Sequence, residues 1–161
     1  DKQPTKQELR EVDYILSGLL NTKTVLIAGN HDHLSQQDEF SHYQWNSEVY
    51  MLDGRDKDHI YFKDLDTTIY GISYWTNQIM EPVYDKMAPQ SESGFSILLA
   101  HGGDESHIPI NKDLLKWSGF DYIALGHIHK PEIIFEDLMA YAGSLEPLDH
   151  TETGNHGFIE C

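Results

Sequence analysis

Apolar and polar positions along this chain follow two different periods. In residues 5–23, TKQELREVDYILSGLLNTK, Leu9, Val12, Ile15, Leu16 and Leu19 recur every three or four positions, which predicts one amphipathic helix. Thr5 is its expected N-cap, with Glu8 three positions on to close a capping box. Asn21 or a residue beside it should end the helix. TVLIAGN follows at once, a β-rich apolar run closed by Gly29. A helix feeding directly into a buried strand is half of a βαβ unit.

Residues 34–46 are polar with interspersed aromatics and suggest another helix. VYML, then residues 59–63 and 67–72, have the alternation of strands, and the turn residues 64–66 make the last two a hairpin. TNQIMEPVYDKMAPQSESG suggests a helix followed by a loop, broken by Pro82 and Pro89. FSILLAHGG is a buried strand, NKDLLKWSG a short helix with Gly119 at its carboxyl end, and DYIALGHIH another buried strand. PEIIFEDLMAYAGS looks like a hairpin and HGFIEC like a last strand. No internal repeat or linker divides the chain, so the expectation is one α/β domain over residues 1–161.

Three of these runs end alike: VLIAGNHD, ILLAHGG and IALGHIH each stop in small residues and a histidine. Parallel strands of an open α/β sheet place their carboxyl ends on one edge, where ligands bind. His31, His101, His127 and His129 would therefore meet there. If GHIH is extended, residues 127 and 129 share a face. Two protonated imidazoles so close would repel, whereas a metal ion takes both as neutral ligands. For one such pair alone, exposed loop histidines would be the simpler explanation; three similar strand ends favour metal. Asn30 adds an amide oxygen, with an Asx-type turn as its alternative role.

Asn30, His101, His127 and His129 are all neutral, so they compensate a divalent cation poorly. Two-metal hydrolytic sites hold ions about 3.5–4 Å apart with a bridging group, usually a carboxylate. No acidic residue here sits at an apolar strand end in the same way, so such carboxylates are expected upstream of Asp1. The opening on Asp1 and the close on Cys161 inside an apparent strand both suggest a piece of a longer protein. His107 and Asp104 are assigned to loop surface, with lining of the cleft as the alternative. His33, His42, His59, His150 and His156 are expected at the surface, and Trp45, Trp75 and Trp117 in packing. Residues 141–144 form a turn that could lie near the site, and Lys130 either touches phosphate or is solvated.

Composition narrows the setting. The net charge is −16, from 27 acidic and 11 basic residues, with no basic cluster. Grip on nucleic acid normally needs such a cluster, so a nucleic-acid substrate would require basic surface from elsewhere. No apolar run approaches the roughly 18 residues a membrane helix needs. A single cysteine excludes a disulfide framework and leans towards a reducing, cytoplasmic setting.

GNHD, the lone His101 after ILLA, and GHIH, in that order, resemble the last three motifs of the calcineurin-like metallophosphoesterase superfamily: GNH(D/E), a single His and GHxH. The family's Asp-x-His and Gly-Asp-x-x-(Asp) motifs, normally amino-terminal, are absent. DYIALGHIHKPEI and AYAGSLEPLDHTETGNHGFIEC look more narrowly like the SbcD-type DNA repair exonucleases. The resemblance implies a β sandwich flanked by helices, incomplete on its amino-terminal side. It also implies two divalent metal ions, commonly manganese, with iron, zinc or magnesium as alternatives. Asn30, His101 and His127 would bind one ion and His129 the other. His31 would contact the scissile phosphate, and Asp32 would orient the His31 ring. The implied activity is a metal-dependent phosphodiesterase acting on DNA, with an ATPase partner subunit and room for a homodimer. The alternatives are a phosphoesterase for nucleotides or phosphoproteins, and a non-catalytic module that retains the fold.

Overall fold

The computed structural model describes residues 3–46, 48–54, 58–90 and 94–161. Helix α1 covers Lys6–Ser17 and carries the expected capping box: Thr5 Oγ1 accepts the Glu8 amide while the Glu8 carboxylate accepts the Thr5 amide. The helix stops earlier than its pattern suggests, at a Gly18 C-cap. Its apolar stripe is only partly covered. Leu9 is buried, yet Val12, Ile15 and Leu19 are 45%, 65% and 47% exposed. A polar residue, Asp13, is buried beside Leu9. Its carboxylate accepts the Asn46 amide at 3.0 Å, the Asn46 side chain at 2.7 Å and the Tyr43 hydroxyl at 3.0 Å. These bonds offset the cost of burying the charge.

Strand β1 (Thr24–Leu26) pairs in parallel with β2 (Val49–Met51) in a small sheet of its own. The main sheet has six strands: β3 (His59–Phe62), β4 (Thr67–Gly71), β5 (Phe95–His101), β6 (Tyr122–Gly126), β7 (Glu132–Phe135) and β8 (Met139–Tyr141), in the order β3-β4-β5-β6-β8-β7. Its centre is parallel, β4 to β5 to β6 to β8. An antiparallel hairpin closes each side, β3/β4 and β7/β8. Helix α2 (Lys112–Lys116), capped by Asn111 on the Leu114 amide, lies between β5 and β6. The fold is thus mixed α/β, as expected.

Strand β5 shows how the core is built. Ser96, Leu98 and Ala100 are buried, while Ile97 and Leu99 on the other face are half-buried. Leu98 and Ala100 pack in one core with Ile123 and Leu125 of β6 and with Ile108 and Leu115. Two buried tyrosines brace the end of β5. Tyr84 Oη donates to the Ile72 carbonyl and accepts the His101 amide. Tyr141 Oη donates to the Gly102 carbonyl at 3.0 Å.

Three sequence expectations fail for local reasons. Residues 34–46 form turns, not a helix. The Asp38 carboxylate accepts the Ser35 and Ser41 amides at 2.6 and 2.7 Å, and such local bonds compete with helix formation. Among the described residues of the 76–94 stretch, which exclude 91–93, the expected helix is replaced by a 3₁₀ turn, Val83–Lys86, that begins after Pro82. The HGFIEC segment is not a strand. Trp45 packs edge-on against Phe40 and Tyr43, whereas Trp117 is 82% exposed, with Lys116 Nζ 5.6 Å from its ring centroid. Among the described residues no helix is long and apolar enough to cross a membrane.

Candidate metal centre

The parallel strands end at Gly71, His101, Gly126 and Tyr141, with His101 directly beside Gly126. The segment after β1 reaches the same edge. The Tyr74 amide donates to the Ala28 carbonyl, and the Ala28 amide to Ser73 Oγ. Asn30, only 6% exposed, then brings its Oδ1 to 2.9 Å from His101 Nε2. Glycine makes this approach feasible. A Cβ on Gly29 would lie 2.7 Å from His101 Cε1, and one on Gly126 3.2 Å from His101 Nδ1.

The chain turns sharply after β6. His127 has φ +92°, a backbone region that costs a side-chain-bearing residue energy and often marks a functional position. His127 and His129 are therefore not neighbours on one extended face. The His127 ring centroid lies 5.2 Å from that of His101 and 4.7 Å from that of His107. Its Nε2 is 2.7 Å from Asp104 Oδ2, and Asp104 also lies 2.9 Å from His107 Nδ1. The ligand atoms of Asp104, His107 and His127 lie within 4.8 Å of one another. His129 Nδ1 meets Glu152 Oε1 at 2.5 Å.

His31 is exposed beside buried Asn30. Asp32 Oδ1 accepts the Gly29 amide at 2.7 Å, bracing the loop from within; among the described residues no hydrogen bond joins it to the His31 ring. His33, expected at the surface, is half-buried, with Nδ1 3.1 Å from the Asn30 carbonyl. His42, His59 and His150 are exposed as expected.

Burial, then the nearby imidazoles of His127, His107, His31 and His129, push His101 down from its ordinary 6.5 to about 4. At neutral pH its nitrogen lone pair is free of a proton. Asp104 behaves oppositely. Desolvation works against its ionisation, but hydrogen bonds from the His127 and His107 rings and the Ser106 amide outweigh it and hold the carboxyl well below its usual range.

The His101 shift has a signed consequence. Below pH 6.5 the unfolded chain binds a proton at this residue, and the folded chain refuses it until about pH 4. Stability is therefore complete above pH 6.5 and falls as pH drops through that window. In the metal-free protein this residue should account for a loss on the order of 2–3 kcal/mol. Urea unfolding of wild type against His101→Ala across the window measures it. Parallel pH profiles would refute it.

The donor set fits a divalent transition ion. Imidazole nitrogen, a borderline donor, joined by a hard amide oxygen and a nearby carboxylate, suits manganese, iron or zinc. Two ligands at about 2.1 Å from one ion, at right angles, lie about 3 Å apart, close to the Asn30–His101 separation. Tyr74 adds a further sign. It is fully buried, with its ring edge-on to His101 at 5.5 Å, and its hydroxyl lacks a partner among the described residues. Asp104, assigned to loop surface in the sequence with lining of the cleft as its alternative, takes the alternative role: three residues beyond the end of β5, its carboxylate faces the His127 and His107 rings.

Residues 3–131 match the model of the calcineurin-like phosphoesterase family. The chain belongs to this family. It is 33% identical over 145 residues to the uncharacterized metallophosphoesterase YhaO of Bacillus subtilis (strain 168), covering 83% of this chain and 35% of that protein. It is 31% identical over 141 residues to the DNA double-strand break repair protein Mre11 of Methanocaldococcus jannaschii, covering 82% of this chain and 38% of that protein. The chain thus spans little more than a third of the length of these curated relatives. Members of the family bind divalent metals, and the Asp104–His107–His127 group is a cluster able to hold one.

Proposed function

We propose that this chain supplies the histidine side of a two-metal phosphodiesterase centre that acts on DNA, in the manner of an SbcD-type exonuclease. The observation that carries the reading is the meeting of Asn30, His101 and His127, from three separate strand ends, at one sheet edge. Asn30, His101 and His127 would hold one ion, and His129 the other. Divalent cations, manganese foremost, supply Lewis-acid charge and an activated water when bound. The remaining chemistry belongs to side chains. Neutral His101 and the amide oxygen of Asn30 offer lone pairs without a proton to displace. His31, exposed at the rim, would serve as general acid to the leaving oxygen, a contribution of about 10²- to 10⁴-fold. A bridging carboxylate is assigned to the family's two other motifs, which this stretch does not contain. The DNA substrate and an ATPase partner rest on likeness, including that to a relative named for double-strand break repair.

A second reading has its own support. A net charge of −16 without a basic cluster suits small phosphoesters or phosphoproteins better than a polyanion. Incubation with Mn²⁺ and either linear duplex DNA or small phosphodiesters and nucleotides separates the two. Chelator-sensitive shortening of DNA supports the first. Turnover of the small substrates with DNA untouched supports the second. No hydrolysis of either by the protein joined to a segment bearing the family's two other motifs would overturn both.

A further inference from the structure

The two imidazoles of GHIH leave the sheet differently, and each ends on a carboxylate. His127 Nε2 faces Asp104, and His129 Nδ1 faces Glu152. The nitrogens used are opposite ones. A histidine that binds metal through one nitrogen has the N–H of the other taken by an acceptor, which fixes both tautomer and ring orientation. We propose that Asp104 and Glu152 are the positioning carboxylates of the centre, holding His127 as its Nε2–H tautomer and His129 as its Nδ1–H tautomer, so that Nδ1 of His127 and Nε2 of His129 are presented to the ions. The inference rests on the metal-ligand reading above.

Both carboxylates are held independently of the histidines they serve. Asp104 Oδ1 accepts the amides of Ser106 and His107 at 2.8 and 3.0 Å, and both its oxygens lie 2.9 Å from His107 Nδ1. Glu152 Oε2 accepts the Leu148 amide at 3.0 Å and the Ser144 hydroxyl at 3.3 Å. The loop is tied back to the site, because the Ser144 amide donates to the His129 carbonyl at 2.9 Å. His156 closes it, with Nδ1 3.1 Å from the Ser144 carbonyl and Nε2 3.3 Å from the Glu152 carbonyl. The Glu152 side chain is only 18% exposed. Each carboxylate is therefore aimed before any ion arrives. Glu152 also lies outside residues 3–131, the stretch matched to the family.

The His129 arm is the sharper test, since neutral histidine in water favours Nε2–H and Glu152 enforces the reverse. Long-range ¹H–¹⁵N correlation spectra of the metal-free protein read the tautomers directly, and calorimetric titration with Zn²⁺ reads affinity. Wild type should show Nδ1–H at His129 and Nε2–H at His127. Glu152→Ala should return His129 to Nε2–H and weaken Zn²⁺ binding about 10- to 100-fold. Glu152→Gln keeps an acceptor oxygen, so it should retain the wild-type tautomer and lose less affinity. Asp104→Ala should weaken binding by a similar factor while the number of ions bound stays unchanged. Nε2–H at His129 in wild type would overturn the inference. So would unchanged tautomer and affinity in Glu152→Ala, or loss of one whole ion in Asp104→Ala, which would make Asp104 a ligand. A wild type with these tautomers that binds no Zn²⁺ would instead overturn the metal-ligand reading beneath it.

Discussion

His31→Asn is expected to keep its metal and lose turnover by about 10²- to 10⁴-fold. Asn30, the preceding residue, is buried against His101, but His31 itself is exposed. The loop beneath it is held by the Gly29 amide on Asp32 and by His33 on the Asn30 carbonyl. None of these bonds uses the His31 ring, so the substitution should leave the fold and the ligand cluster in place. What it removes is an imidazole at the rim, where a proton can meet a leaving oxygen. Metal content and kcat, measured on the same preparation with Mn²⁺ and the better of the two substrate types, check the prediction. Loss of metal together with activity would show that His31 is a ligand and that its assigned role is wrong.

His101→Ala should have the opposite signature: metal binding falls by more than the 10- to 100-fold typical of outer partners, and activity falls to background with it. His101 is the hub of the cluster. Asn30 lies 2.9 Å from its Nε2, the His127 ring centroid 5.2 Å from its own, and Tyr74 edge-on to it at 5.5 Å. On the proposed reading, removing the ring takes away a ligand and leaves the space that Gly29 and Gly126 keep open for it. The same variant should flatten the loss of stability between pH 6.5 and 4 assigned to this residue. Equilibrium dialysis against Mn²⁺ provides the measurement. Wild-type affinity in His101→Ala would remove His101 from the ligand set.

Much of this architecture can be read from the chain, because strand ends are local signals. Apolar runs closing in Ala-His or Leu-Gly-His mark the edge where β5 and β6 stop, and both hairpins follow from alternation and turn residues. The cap of α1 is equally local. What the sequence hides depends on distant partners. Asp13 looks like a solvated helix residue until residues 43 and 46 fold over it. Nothing in GGDESH shows that Asp104 turns back to reach His127, 23 positions away. Glu152 is likewise 23 positions from His129. The positive φ at His127 is not visible in GHIH either, and it replaces the expected shared face with two diverging rings. Residues 34–46 failed as a helix because Asp38 bonds the backbone locally, a competition that periodicity does not register.

Crystals of the protein grown with Mn²⁺, measured near the manganese absorption edge, test the central claim most directly. The account predicts an anomalous peak within coordination distance of Asn30 Oδ1, a His101 ring nitrogen and His127 Nδ1 together. A peak held only by Asp104, His107 and His127 Nε2, or no peak at this sheet edge, would contradict it.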